Sequence, residues 1–150
     1  DIITPNTTEA AMLLGEKSDD MEFSTQKVKS WLVRLAEKGP KIIVITSVDL
    51  ADGSKCNVGY DKQHSTFWKV PYEYISVNYP GTGDIFSSVL VGSILKGDSL
   101  PIAMNRATSF LELAIKTTYS YSSEPRNGVM LEGCLSWLIQ NPTLREYETL

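Results

Sequence analysis

The stretch Tyr79-Pro80-Gly81-Thr82-Gly83-Asp84-Ile85-Phe86 decides the reading of this chain, because a glycine-rich turn there runs straight into an apolar segment. Gly81 and Gly83 flank Thr82 and permit backbone dihedrals that a branched residue resists, and Asp84 stands where a helix is expected to begin. The first N–H groups of a helix lack helical acceptors and converge on one spot, which attracts an anion. A carboxylate beside an anion site is unfavourable by itself. The pairing makes chemical sense if Asp84 takes a proton from an attacking hydroxyl while the N–H groups hold a phosphoryl group in transfer. The plainer reading of the same residues is a turn ended by a helix cap.

Downstream, Ile85, Phe86, Val89, Leu90 and Ile94 suit a largely buried helix from Asp84 to about Lys96, with Gly92 allowing close approach of a neighbour and Gly97 as the stop. Ser99 and Pro101 restart a helix that carries Ile102, Ala103, Ala107, Phe110, Leu111, Leu113 and Ala114 to about Thr118. Tyr119 to Gly128 reads as a polar loop. A last helix is expected from Val129 to Gln140, burying Leu131, Leu135 and Leu138 and ended by Asn141-Pro142.

Upstream, Ile2 to Thr4 reads as a short buried strand that Pro5 stops. Asn6, with Glu9 three positions later and an apolar run closed by Gly15, is the pattern of a helix with a capping box. After an acidic link from Glu16 to Glu22, Ser24 can cap a second helix. Val28, Trp31, Leu32, Leu35 and Ala36 follow its i, i+3, i+4 rhythm and give it one buried face. Lys41 to Ser47 is a near-continuous apolar strand of the kind covered on both faces in a parallel sheet. Ligands of such sheets gather beyond the carboxyl ends of the strands, where Thr4, Asn6, Thr46 and Ser47 lie. Asp52-Gly53 is a turn signal ahead of two strands, Lys55 to Tyr60 and Thr66 to Val70. These read as an antiparallel hairpin with Phe67 and Trp68 packing on its two faces.

The chain has 150 residues, 42% of them hydrophobic, which is enough for the core of one domain. No repeat or linker divides it, so residues 1–150 are read as a single α/β domain. The net charge of −4, without a dense basic patch, argues against nucleic acid as a partner, and an anionic nucleotide would need backbone N–H groups and a metal ion. No apolar run approaches the roughly 20 residues that span a bilayer, and the first residues lack the pattern of a signal peptide. A cytoplasmic protein is expected. Cys56 and Cys134 show no metal-ligand spacing and read as reduced thiols, and His64 reads as a surface residue in a polar turn.

With Asn6-x-x-Glu9, the strand end Ile45-Thr46-Ser47 and Gly81-Thr82-Gly83-Asp84-Ile85-Phe86 in this order, the sequence resembles the pyridoxal (vitamin B6) kinases of the ribokinase-like superfamily. The resemblance runs the whole chain and covers only the C-terminal half of such an enzyme. It implies a three-layer α/β/α fold, of which this chain is the C-terminal portion of a mostly parallel sheet with an added antiparallel hairpin. It also implies transfer of phosphate from ATP to the 5′-hydroxymethyl group of pyridoxal or pyridoxine. In that frame Asp84 is the catalytic base, and Gly81, Thr82 and Gly83 with Asp84 form the anion hole. Thr46 and Ser47 contact the nucleotide phosphates, and Ile75 lies along the adenine with the loop from Tyr119 to Asn127 across from it. Asn6 and Glu9 match the metal and phosphate motif, with Thr4 near the same cation, Mg2+; a monovalent cation is a further candidate. The implied partners are a B6 vitamer, the N-terminal half of the same fold and a second copy in a homodimer, with neither nucleic acid nor membrane.

Hydroxymethylpyrimidine kinases are similar but usually place cysteine where Asp84 stands, and the superfamily's sugar kinases prefer alanine in place of Thr82. The alternatives are a hydroxymethylpyrimidine kinase or other small-molecule kinase of the superfamily, or a catalytically silent nucleotide-binding fragment. Alone, the 150-residue chain is expected to turn over weakly or not at all.

Overall fold

A computed structural model describes residues 1–16, 23–121, 124–140 and 146–150. The chain forms two compact units, one comprising Asp1–Pro71 with Tyr147–Leu150 and the other Tyr72–Glu146.

The first unit is a five-stranded mixed sheet with helices. Its strands are β1 (Ile2–Ile3), β2 (Ile42–Asp49), β3 (Lys55–Asp61), β4 (Thr66–Pro71) and β5 (Glu148–Thr149), hydrogen-bonded in that order. β1 and β2 are parallel, with Ile2 opposite Ile42 and Ile3 opposite Ile43. The remaining pairs are antiparallel. A parallel pair needs a crossover, here supplied by α1 (Thr7–Leu14) and α2 (Thr25–Glu37).

Both helices start as their sequences dictate. Asn6 and Glu9 make the full capping box, with the Asn6 N–H donating to Glu9 Oε2 at 2.8 Å and the Glu9 N–H to Asn6 Oδ1 at 2.8 Å. Gly15, at φ 71°, closes α1 in the left-handed conformation that glycine adopts without a Cβ penalty. Ser24 caps α2 by accepting from the Lys27 N–H. The predicted face of α2 is buried: Val28, Trp31, Leu32, Leu35 and Ala36 pack with Ile43, Ile45, Val48, Val58 and Tyr60. Phe23 meets Trp31 edge-on at 5.0 Å between ring centres. Trp31 donates its indole N–H to Glu16, whose carboxyl is held below its ordinary range mainly by the hydrogen bond from Arg34. The predicted link from Glu16 to Glu22 otherwise lies outside the described residues.

Ile43, Val44 and Ile45 are buried in succession, as a strand covered on both faces requires. The predicted hairpin is present, and its aromatic neighbours face opposite ways: Phe67 stacks on Tyr60 at 4.5 Å while Trp68 meets Tyr147 edge-on at 5.8 Å. β5, which sequence reading does not foresee, pairs Thr149 with Trp68 and Glu148 with Lys69.

The second unit holds α3 (Thr82–Leu95), α4 (Leu100–Ser120), a short 3₁₀ turn (Pro125–Asn127) and α5 (Ser136–Ile139). Three expectations are corrected here. First, α3 begins two residues ahead of Asp84, because Gly81 at φ 83° turns the chain and Thr82 already has helical geometry, so Asp84 sits in the first turn. Second, Gly92 meets no close neighbour among the described residues: a Cβ there would find nothing within 4 Å. Third, the last helix is one turn and not three. Gly128 and Gly133 disfavour helix across the segment, Leu131 and Leu138 are half-buried, and Leu135 faces solvent at 48% exposure. The expected stop at Asn141-Pro142 lies outside the described residues. Cys134 is buried with Phe110 and Ala114, and both cysteines are free thiols.

Replacing Leu32, fully buried at the centre of the first unit's core, with alanine is expected to lower unfolding free energy by about 2–5 kcal/mol. Denaturant unfolding with an unchanged slope checks this; a loss below about 0.5 kcal/mol would contradict the packing described.

Candidate functional site

The residues singled out in the sequence fall into two clusters, one in each unit.

In the first unit, parallel pairing continues past β1 through a bridge between Asn6 and Thr46, with the Thr46 N–H donating to the Pro5 carbonyl at 2.9 Å. The fold therefore brings Asn6 beside Thr46, where the parallel pairing of β1 with β2 ends, with Thr4 and Glu9 two and three residues along the chain from Asn6; β2 does not stop at Ser47 as expected but runs on to Asp49 past a register shift. Thr4, Asn6 and Thr46 are half-buried, while Glu9 and Ser47 are exposed. Ser47 has φ 58°, a left-handed conformation uncommon outside glycine. The register between β2 and β3 shifts at this point, between Ile45 and Val48. Asn57, 6% exposed, accepts the Ser47 N–H on Oδ1 at 3.2 Å. Sequence reading does not find this pair. The available signal is an amide in the otherwise buried run Cys56-Asn57-Val58-Gly59-Tyr60, where a lone polar side chain is costly unless it is bonded.

Among the described residues no three His, Cys, Asp or Glu side chains gather closely enough to hold a metal ion. The candidate metal position thus offers one carboxylate, Glu9, whose Oε2 is occupied by the cap. Such a donor set suits a cation that keeps most of its waters and takes one carboxylate with substrate phosphates, as Mg2+ does. His64 pairs with Asp61 at 2.6 Å at the surface, as its turn position implies.

In the second unit, Thr82, Gly83 and Asp84 are the first residues of α3, and among the described residues no side chain caps the helix. Their N–H groups precede the first helical bond, from the Ile85 N–H to the Gly81 carbonyl at 3.1 Å, so they have no helical acceptor. The Thr82 hydroxyl donates to the Tyr79 carbonyl at 3.2 Å and closes the turn. Asp84 is exposed. It also helps line a cleft of about 520 Å³ along α3, walled by Ile85, Val89, Leu131 and Leu138. Ile75, half-buried, lies on the segment leading into the turn. Glu73 anchors that segment to α4: its N–H donates to Glu112 Oε1 at 2.6 Å, and its carboxylate pairs with Lys116 at 2.6 Å.

Residues 1–129 match the sequence model of the family described as phosphomethylpyrimidine kinase. A hydroxymethylpyrimidine/phosphomethylpyrimidine kinase of Aquifex aeolicus is 30% identical over 119 residues, covering 79% of this chain and 44% of the relative. A crystal structure from Bacteroides thetaiotaomicron, described as a phosphomethylpyrimidine kinase and containing pyridoxal, superposes with a TM-score of 0.90 at 40% identity. That match covers 100% of this chain and 53% of the other. An ADP complex of Bacillus subtilis pyridoxal kinase gives a TM-score of 0.63 at 27% identity over 77% of this chain and 42% of the other. The chain spans about half the length of the relatives it matches, and the fold is the ribokinase-like α/β fold they share.

Cys56 yields a pH prediction for the first cluster's scaffold. Burial pushes its thiol from 9.0 up to about 12, with Lys69 opposing weakly. Between these values the unfolded chain loses the proton while the folded one keeps it, so stability is fully present below pH 9 and falls as pH rises toward 12. The expected result is no alkylation of Cys56 in the folded protein at pH 8 and rapid alkylation in denaturant, read by mass spectrometry. Fast labelling of the native protein would contradict the burial.

Proposed function

The chain belongs to the phosphomethylpyrimidine kinase family, and from that premise we propose that it is the ATP-side part of a kinase acting on pyridoxal or pyridoxine. The observation that carries the reading is the uncapped start of α3, with three N–H groups lacking helical acceptors and a carboxylate in the same turn.

In this reading Asp84 takes the proton from the 5′-hydroxymethyl group as its oxygen bonds to the γ-phosphorus of ATP. The bond from that phosphorus to the β,γ-bridging oxygen breaks, and ADP leaves. The N–H groups of Thr82, Gly83 and Asp84, freed by the turn at Gly81, hold the equatorial oxygens as charge spreads over them. Protein chemistry here is mainly positioning and charge stabilisation. Thr46 and Ser47 take the nucleotide phosphates, and Ile75 lies along the adenine. Asn6 and Glu9, with Thr4 alongside, would hold Mg2+, which would supply charge neutralisation on the phosphates. Pyridoxal in the Bacteroides relative and ADP in the Bacillus relative support this choice of ligands.

The second reading is a hydroxymethylpyrimidine kinase, favoured by the Aquifex relative. Aspartate at position 84, where those enzymes usually carry cysteine, favours the B6 vitamers. Initial rates with pyridoxal, pyridoxine and hydroxymethylpyrimidine separate the two, and a higher kcat/KM for the pyrimidine would reverse the preference.

Asp84→Asn keeps the side chain's shape and removes its basicity. In the enzyme completed by the N-terminal half of the fold, we expect kcat to fall by about 10²–10⁴ while the affinity for MgATP stays within about two-fold, measured by a coupled assay and by calorimetry. Turnover at the unsubstituted rate would remove Asp84 as the base.

A further inference from the structure

We infer that Asn57 is a positioning residue for the nucleotide-phosphate contacts, acting through the backbone of Ser47. The inference rests on the proposed role of Thr46 and Ser47 and goes beyond it by assigning a residue that touches no substrate.

Ile45 pairs with Val58 and Val48 with Cys56, so Thr46 and Ser47 together oppose Asn57 alone. This is a β-bulge, two residues against one. In an unbroken strand neighbouring side chains point to opposite faces, and two consecutive hydroxyls cannot serve one phosphate group. The bulge suspends that alternation where it is needed. Its cost is visible in Ser47, at φ 58°, a conformation that persists only when the surroundings enforce it.

The enforcing contacts can be named. The Thr46 N–H donates to the Pro5 carbonyl at 2.9 Å, and Asn6 bridges to Thr46, which fixes the residue before the bend. The Ser47 N–H no longer has a ladder partner and donates instead to Asn57 Oδ1 at 3.2 Å. Asn57 is 6% exposed and lies between buried Cys56 and Val58. Asparagine is depleted in strands, and a buried amide is costly, so packing alone does not select it there. An acceptor reaching across the bulge does. With leucine in its place the Ser47 N–H loses its acceptor, and the left-handed conformation loses its restraint.

The test is calorimetric titration of four forms of the protein, unsubstituted, Asn57→Leu, Ser47→Ala and the double variant, with MgATP and with AMP. AMP reports folding and the adenine end, and the ratio of the two affinities reports the outer phosphates. Asn57→Leu is expected to reduce the preference for ATP over AMP roughly ten-fold with AMP affinity unchanged. Ser47→Ala reduces it too, and the double variant falls no further than the worse single, because Asn57 acts through Ser47. An unchanged preference in Asn57→Leu, or losses that multiply in the double variant, would overturn the assignment. Should the leucine variant not fold, Asn57→Ser, too short to reach the Ser47 N–H, carries the same expectation. Equal binding of ATP and AMP by the unsubstituted protein would instead fell the phosphate role of Thr46 and Ser47, and the assignment with it.

Discussion

The parallel pairing of β1 with β2 is the interaction on which the first unit's chemistry depends. Side by side in one direction, the two strands bring the end of β1 next to the middle of β2, and the bridge from Asn6 to Thr46 carries the pairing beyond the last regular ladder bond. An antiparallel arrangement would have sent Thr46 and Ser47 to the opposite end from Asn6 and Glu9. The crossover that permits the pairing is itself held by burial of α2 against β2 and β3, so the core cluster fixes the site's register. Hydrophobic packing here does positional work, because a one-residue slip would turn Thr46 to the other face.

The second unit solves a different problem. An N–H cluster and a carboxylate in one helical turn make opposite electrostatic demands on an incoming phosphate. The helix dipole favours both the anion and Asp84, while the two negative charges repel. In the proposed transfer the conflict is tolerable, because the carboxylate would be needed only for the hydroxyl proton and the phosphoryl charge would be met by donors fixed before the substrate arrives. Gly81 makes that possible: its left-handed φ lets the chain enter the helix without a side chain over the N–H groups.

Much of this was legible because the decisive signals are local. The rhythm of Val28, Trp31, Leu32 and Leu35 marks the buried face of α2, and Asn6 with Glu9 marks the start of α1, since each depends on residues within two turns. The turn from β2 into β3 announces itself through Asp52-Gly53, where the Ser54 N–H and hydroxyl donate to Asp52 Oδ1. What sequence missed depends on partners far along the chain. β5 is two exposed residues whose strand geometry comes only from pairing with β4. The Val129–Gln140 pattern looks helical because its leucines recur at helical spacing, yet Leu135 faces solvent and the glycines interrupt the turn. The helix starts two positions ahead of Asp84 because Gly81 takes the turning conformation there without a Cβ penalty. The bend at Ser47 leaves no local trace, since serine itself disfavours it and its cause sits on the next strand.

Glu9 has an observed structural role, and the proposed metal role has to be compatible with it. Its bond to the Asn6 N–H satisfies a donor that α1 would otherwise leave open, a contribution of about 1 kcal/mol. A carboxylate has two oxygens with roughly four acceptor sites between them, so the cap consumes only part of its capacity. Held by the cap through Oε2, the group is oriented before any cation arrives and loses little further side-chain entropy on binding one. A direct inner-sphere ligand would have to compete with the cap for geometry; a water-bridged one would not. The capping box and the proposed hydrated Mg2+ are therefore compatible at the same residue.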